Sequence, residues 1–302
     1  MQTQRADAEK ARMNRSFLFV PADSEKKLAK ARACGADALV VDLEDAVAAA
    51  ARPAARRLAH AFIADGAPCD LWLRINALDT ADAMLDLRAV MPAAPAGIVL
   101  PKAAGAAEVI ELGKLLDALE VEHGLPTEQT RILPIATERP AGLFRMHEYA
   151  ACSARLGGLT WGAEDLGAVL GAARNRGVDG EWLPTFQLAR SLCLLAAAAA
   201  GVVAIDTVFT DFRDGSRLAT VAAAARRDGF GGMLAVHPAQ VSVINEAFSP
   251  SGEEIERARR IVALFAENPD AGTLGLDGEM IDRPHLVLAR RILALAGHGN
   301  DG

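Results

Sequence analysis

Residues 35–47 read Gly-Ala-Asp-Ala-Leu-Val-Val-Asp-Leu-Glu-Asp-Ala-Val. From Ala38 to Leu43 the run is apolar except for Asp42, and carboxylates follow at Glu44 and Asp45. A strand with one wet face alternates polar and apolar side chains, whereas a near-continuous run such as ALVVDL suits a parallel strand covered on both faces. Residues 52–64, which follow, have helical composition. Seven more short β-rich runs lie outward from this one, at residues 17–21, 71–76, 97–101, 132–137, 158–162, 204–210 and 233–237. Helical stretches separate many of them, at residues 23–34, 81–90, 106–123 and 183–200. Strand then helix, repeated eight times, predicts an α/β fold of the TIM (β/α)8 barrel type. No G-x-G-x-x-G follows a strand, so a doubly wound dinucleotide-binding sheet is the poorer reading.

Length agrees with that architecture. A barrel of about 250 residues leaves about 50 of the 302 for an appendage. The expected division is a catalytic barrel at 15–248 and a C-terminal helical lid or extension at 249–302. The extension, in which the Gly/Asp-rich stretch 269–278 reads as loop, is expected to lack a core of its own and to pack on a neighbouring subunit. Acidic residues outnumber basic ones 39 to 32, for a net charge of −7, which opposes general nucleic-acid binding. The four cysteines form no C-x-x-C pair, so zinc spacing and a disulfide scaffold are both absent. The charged N-terminal fifteen residues lack a secretory apolar region, and the Ala-rich run at 192–204 is too short to span a bilayer. A cytoplasmic protein without membrane association is expected.

Barrel chemistry sits at the C-terminal ends of the strands. Those ends carry Asp42, Glu44, Asp45, Arg74, Asn76, Lys102, Thr137, Glu138, Arg139, Glu164, Asp165, Asp211, His237 and Gln240. Several carboxylates at one mouth repel each other unless a cation lies between them. An all-oxygen set suits Mg2+, which takes one or two carboxylates plus waters and substrate oxygens. An arginine beside it would hold a substrate carboxylate in a two-pronged grip. Plainer roles remain open at this stage: helix-terminal charges for Glu44 and Asp45, a structural ion pair for Arg74, and a turn cap for His237.

The strings RSFLFVPAD (residues 15–23), GADALVVDLEDAV (35–47), LRIN (73–76), GIVLPKA (97–103), ATERPAG (136–142), GLTWGAEDL (158–166), AIDTVFTD (204–211), HPAQV (237–241) and LDGEMIDRP (276–284) carry a resemblance. Together they resemble citrate lyase β-subunit-like proteins of the HpcH/HpaI aldolase and citrate lyase superfamily, in order from about residue 15 to 297. The resemblance implies a Mg2+-dependent carbon–carbon lyase acting on a CoA ester and an oxoacid, assembled as a homotrimer or a dimer of trimers. It implies Glu138 and Asp165 as metal ligands and Arg74 as the clamp on the oxoacid carboxylate. Glu44 and Asp45 would bond water around the metal, and Asp282 would reach a neighbouring subunit's site as general acid/base. Arg15, Lys102, Arg139, His237 and Gln240 would line the CoA end. Departures fall at that end: Gly232–Met233 replaces a frequent Gly-Lys, Glu279 replaces a lysine, and Arg52 replaces another. An aldolase on free hydroxy-oxoacids, or a subunit acting on an acyl-carrier-protein thioester, therefore stands beside the acyl-CoA reading. A Schiff-base aldolase is the weaker rival, because Lys102 is the only one of six lysines at a strand end.

Overall fold

Each of the eight apolar runs forms a parallel strand in the computed structural model, which describes residues 14–297. These are β1 (Ser16–Pro21), β2 (Ala38–Asp42), β3 (Asp70–Arg74), β4 (Gly97–Leu100), β5 (Arg131–Pro134), β6 (Gly158–Thr160), β7 (Val203–Asp206) and β8 (Gly232–Ala235). Their order in the sheet is β5-β4-β3-β2-β1-β8-β7-β6. Parallel bridges Ile132–Leu156 and Ile135–Thr160 join the two outer strands and close the barrel. The eight-stranded TIM-type barrel predicted from the apolar runs is the observed fold.

Helices α1 (Glu25–Ala31), α2 (Arg52–Ala64), α3 (Ala81–Val90) and α4 (Ala106–His123) follow the first four strands. After β5 the expected full helix is reduced to α5 (Pro140–Leu143) and a 3-10 turn at Met146–Tyr149. Pro140 and Gly142 hold that crossover short. A Cβ on Gly142 would stand 2.6 Å from the Ala136 carbonyl oxygen. Then come α6 (Ala163–Leu170), α7 (Pro184–Ala200), α8 (Gly215–Asp228) and α9 (Val241–Phe248).

The barrel interior follows the two-residue period of its strands. Phe17, Ala38, Val40, Trp72, Val99, Leu133, Ile205 and Leu234 form one buried cluster. Trp72 is the largest of these, and it fits because residue 97 is glycine: a Cβ there would lie 2.3 Å from the indole. Two residues further along the same strand faces stand Asp42 above Val40 and Arg74 above Trp72. The register pairs Asp42 directly with Arg74. A hydrophobic plug thus lies beneath a polar mouth.

The chain divides into two compact units, Asn14–Asn245 and, within the described residues, 246–297. The second holds α10 (Gly252–Glu267), strands β9 (Thr273–Leu276) and β10 (Glu279–Asp282), and α11 (Arg283–Gly297). Two expectations need correction here. Residues 269–278 were read as loop, yet β9 and β10 form an antiparallel hairpin. Its turn is Asp277-Gly278, both at positive φ, as a two-residue hairpin turn requires. Nor is this segment coreless: Ala258, Ile261, Phe265, Ile281, Leu286 and Ala289 form a buried cluster within it.

Candidate active site

Asp42 and Arg74 anchor the mouth. Arg74 donates from Nε and Nη2 to the two Asp42 oxygens, each at 2.7 Å, and its guanidinium lies 4.8 Å from the Phe19 ring centroid. Its third nitrogen, Nη1, faces Glu44 Oε2 at 3.0 Å and Asp45 Oδ2 at 4.0 Å. Burial by itself would lower the Arg74 pKa; Asp42 and then Glu44 outweigh it and hold the guanidinium above its ordinary value. Arg74 therefore stays charged with hydrogens left on both terminal nitrogens, which is the end-on fork that grips a carboxylate.

Lys102 follows β4 in a left-handed conformation, φ +55°, which is uncommon for a residue with a Cβ. That backbone turn sends its amide to Glu138 Oε2, while its ammonium binds Glu44 and reaches Asp45 Oδ1 at 3.2 Å and Asp165 Oδ1 at 3.9 Å. Burial opposes the charge on Lys102, and Glu44 and Asp45 more than offset it, raising the pKa. At Glu138 the Lys102 amide and the Arg74 charge compensate less than burial costs. Glu138 comes from the segment after β5, is 2% exposed, and has its pKa pushed up to about 8 by burial and then by Asp165. Asp165 comes from the first turn of α6. Gly162 makes the approach possible, since a Cβ there would sit 2.8 Å from Glu138 Cγ. Glu44 is also held above the usual carboxylate range, chiefly by burial.

These groups bound a cavity of about 290 Å3 whose walls include Phe19, Asp42, Arg74, Glu138, Trp161 and Asp165. Two features fit a divalent cation. Glu138 is a buried carboxyl repelled by a neighbouring carboxylate, and buried Glu44 Oε2 makes no hydrogen bond, having only the Arg74 Nη1 charge 3.0 Å away. Among the described residues no three His, Cys, Asp or Glu side chains close into a ready cage.

Not every expected residue faces this cavity. Arg15 precedes β1, so it lies at the N-terminal end of the barrel, opposite the mouth. There it grips Asp37 from Nε and Nη2 at 2.7 and 2.9 Å. The proposed CoA-lining role does not fit that position: parallel strands put all C-terminal ends on one face, and Arg15 is at a beginning. Gln240 is 1% exposed; its Oε1 accepts the amides of Val236 and His237, and its Nε2 donates to the Phe209 carbonyl. Its polar atoms hold the turn after β8. His237 caps the same turn, accepting the Ala239 amide at Nδ1 and stacking on Phe212. Arg139 pairs with Asp79 at 2.6 Å and lines, with Lys102, a separate cavity of about 240 Å3. Asn76 is buried against Asp86 and the Leu43 carbonyl. Asp282 ends β10 in the second unit, with His285 Nδ1 2.5 Å from its Oδ1.

Two cavity residues have roles that the sequence did not assign. Asp42, one of the strand-end carboxylates, fixes Arg74 instead of facing a ligand. Trp161, outside the strand-end set, is fully buried yet lines the cavity, held by Nε1 to Asp206 Oδ1 at 2.7 Å.

Residues 15–238 match the family model described as HpcH/HpaI aldolase/citrate lyase. The chain belongs to this family. Among the HpcH/HpaI relatives, a citrate lyase subunit beta-like protein of Mycobacterium tuberculosis is 37% identical, covering 93% of this chain and 95% of its own. A (3S)-malyl-CoA thioesterase of Cereibacter sphaeroides is 35% identical, covering 96% of each. Among solved structures, the M. tuberculosis protein CitE in complex with magnesium, acetoacetate and coenzyme A superposes with a TM-score of 0.76 at 37% identity, covering 95% of this chain and 99% of that one. The family resemblance stated from the motifs is thereby shown. No helix of the described residues is long and apolar enough to cross a membrane.

Proposed function

We propose that this HpcH/HpaI family member is a Mg2+-dependent lyase that reversibly cleaves a carboxylated 3-hydroxyacyl-CoA of the malyl-, citramalyl- or citryl-CoA type into an acyl-CoA and an oxoacid. The observation that carries the reading is the juxtaposition of Glu138, Asp165 and the pinned Arg74 around one cavity. Glu138 and Asp165 would hold the ion, with Glu44 and Asp45 ordering water beside it. Bound there, Mg2+ would supply Lewis acidity toward the oxygens of the oxoacid half.

Arg74 would bind the oxoacid carboxylate with the terminal hydrogens that Asp42 leaves free. Asp42 keeps the guanidinium planar against the mouth, so the substrate meets a preset donor pair. Trp161 and Phe19 present apolar walls that displace water from the reacting carbons. In the cleavage direction the hydroxyl loses its proton, the carbon–carbon bond breaks as the carbonyl forms, and its electron pair becomes the thioester enolate. Asp282 of a neighbouring subunit would return a proton to the enolate carbon, and remove it in condensation. This assigns the 249–302 extension a lid role and the protein a trimer or dimer-of-trimers assembly. Lys102 is held protonated among carboxylates, which opposes Schiff-base chemistry, since imine formation needs a neutral amine.

Acetyl- and propionyl-CoA tested with glyoxylate, pyruvate and oxaloacetate, with Mg2+ and with EDTA, decide the matter. Metal-dependent condensation with one pair is expected; none with any pair sinks the reading. Comparing free and CoA-linked substrates separates a free-acid aldolase, and co-purification of a small carrier protein would favour a citrate lyase-type subunit. The thioesterase relative supports a second reading, hydrolysis of the thioester. Release of free CoA with intact hydroxyacid, and no oxoacid, would identify it.

A further inference from the structure

The connection between α6 and α7 folds back on itself. Arg176 bridges Trp182, the Gly177 amide donates to the Glu181 carbonyl at 2.9 Å, and Gly180 turns the chain at φ +82°. Two arginines from different elements converge on that turn. Arg176 lies flat on the Trp182 indole, 3.4 Å from the ring centroid, and donates from Nη1 to the Gly180 carbonyl at 2.9 Å. Arg217, in the first turn of α8, lies against the other side of Gly180. A Cβ added at Gly180 would fall 1.1 Å from its Nη2, so the guanidinium occupies the space that a side chain at residue 180 would take.

Their partners differ from those of the buried arginines. Arg74, Arg56, Arg155 and Arg190 each face two or three carboxylates. By contrast, neither Arg176 nor Arg217 lies within 4.0 Å of a carboxylate among the described residues. The nearby Asp206 is already bound by Arg190 and Trp161. Burial, and next the adjacent Arg217, depress the pKa of Arg176 by more than Asp206 and Glu181 raise it. The pair also adjoins the active-site mouth: Trp182 stands edge-on to the cavity-lining Trp161 at 4.9 Å, and Asn175 binds Glu164 Oε1 at 2.7 Å.

We propose that Arg176 and Arg217 form a phosphate-recognition site for the carrier part of the thioester substrate, an inference that rests on the thioester reading above. Planar guanidinium groups match phosphate oxygens in two-point contacts, and stacking on Trp182 fixes one of them before the ligand arrives. The site supplies basic groups from the β6–β7 side of the mouth. Free CoA and a carrier-linked 4′-phosphopantetheine both carry a phosphate on the pantetheine 4′ oxygen, and CoA adds nucleotide phosphates of the same chemistry.

Calorimetric titration of the Mg2+-loaded protein with CoA, 4′-phosphopantetheine and pantetheine, on wild type, Arg176→Ala, Arg217→Ala and Arg176→Lys, tests this. Each alanine variant should weaken CoA binding roughly ten- to hundredfold, the loss of one charge-assisted contact. Pantetheine, which has no phosphate, should bind all four proteins alike, and Arg176→Lys should recover part of the loss. An equal loss with 4′-phosphopantetheine places its phosphate at the pair; a loss confined to CoA places a nucleotide phosphate there. Unchanged CoA affinity, or an equal loss for pantetheine, overturns the proposal. Binding is read without turnover, so a wild type that binds CoA but cleaves nothing would fail the lyase reading alone.

Discussion

Replacing Glu138 with glutamine removes an ionisation while keeping the shape that meets the Lys102 amide. In metal-free protein the carboxyl has a pKa of about 8, against the ordinary 4.5. Raising a carboxyl's pKa means that the fold disfavours its charged form. The penalty is therefore absent below the unfolded pKa, grows as pH rises, and levels off above the folded one. At 1.36 kcal/mol per pH unit, the cost is just under 1 kcal/mol at pH 5, about 3 kcal/mol at pH 7 and about 4 kcal/mol at pH 8. Urea unfolding of wild type and Glu138→Gln in EDTA, at pH 5, 6, 7 and 8, reads this directly, because other titrating groups are common to both. The variant should gain on the wild type by about 3 kcal/mol between pH 5 and pH 8. Saturating Mg2+ should then stabilise the wild type and leave the variant nearly unmoved, since only the former keeps both ligands. A stability gap that does not change with pH, or that narrows as pH rises, would refute the claim that Glu138 is a buried carboxylate waiting for a counter-charge.

Three further outcomes follow from the same geometry. Asp42→Asn should unpin Arg74 and leave its buried charge half-compensated, costing about 3–5 kcal/mol of stability, with KM for the oxoacid rising more than kcat falls. Gly97→Ala should drive a methyl into Trp72 and destabilise by about 1–3 kcal/mol in urea; adding Trp72→Leu should recover much of the loss. Borohydride with oxoacid present should leave Lys102 unlabelled by mass spectrometry, and an adduct there would replace the metal reading with an imine.

Much of the barrel was legible because its signal is local. A parallel strand covered on both faces must be apolar along its length, and the eight runs show that composition wherever they fall. The acidic mouth was legible for a topological reason: once strands are parallel, every residue just past a strand end shares one face. The C-terminal hairpin has a local signal too, Asp277-Gly278 between TLGL and EMID, but its strands are short and half-exposed, and the Gly/Asp-rich composition of 269–278 reads as loop.

What stayed hidden depends on register and on contacts between distant segments. Arg15 looks like a mouth residue until β1 begins at Ser16 and leaves it at the opposite end. Gln240 and His237 carry site-like chemistry, yet the turn after β8 claims both polar atoms of Gln240 and Nδ1 of His237. Arg74 and Asp42 are 32 residues apart, and only the β2–β3 pairing sets them side by side. Arg176 and Arg217 have no local pattern; they meet because a glycine turn and the start of α8 converge. Composition and period act over a few residues and determined the layers of this protein and the face that bears its carboxylates. Which charges are paired, and which are left to meet a ligand, was decided by tertiary structure, because a charge's energy depends on neighbours that the order of the chain does not name.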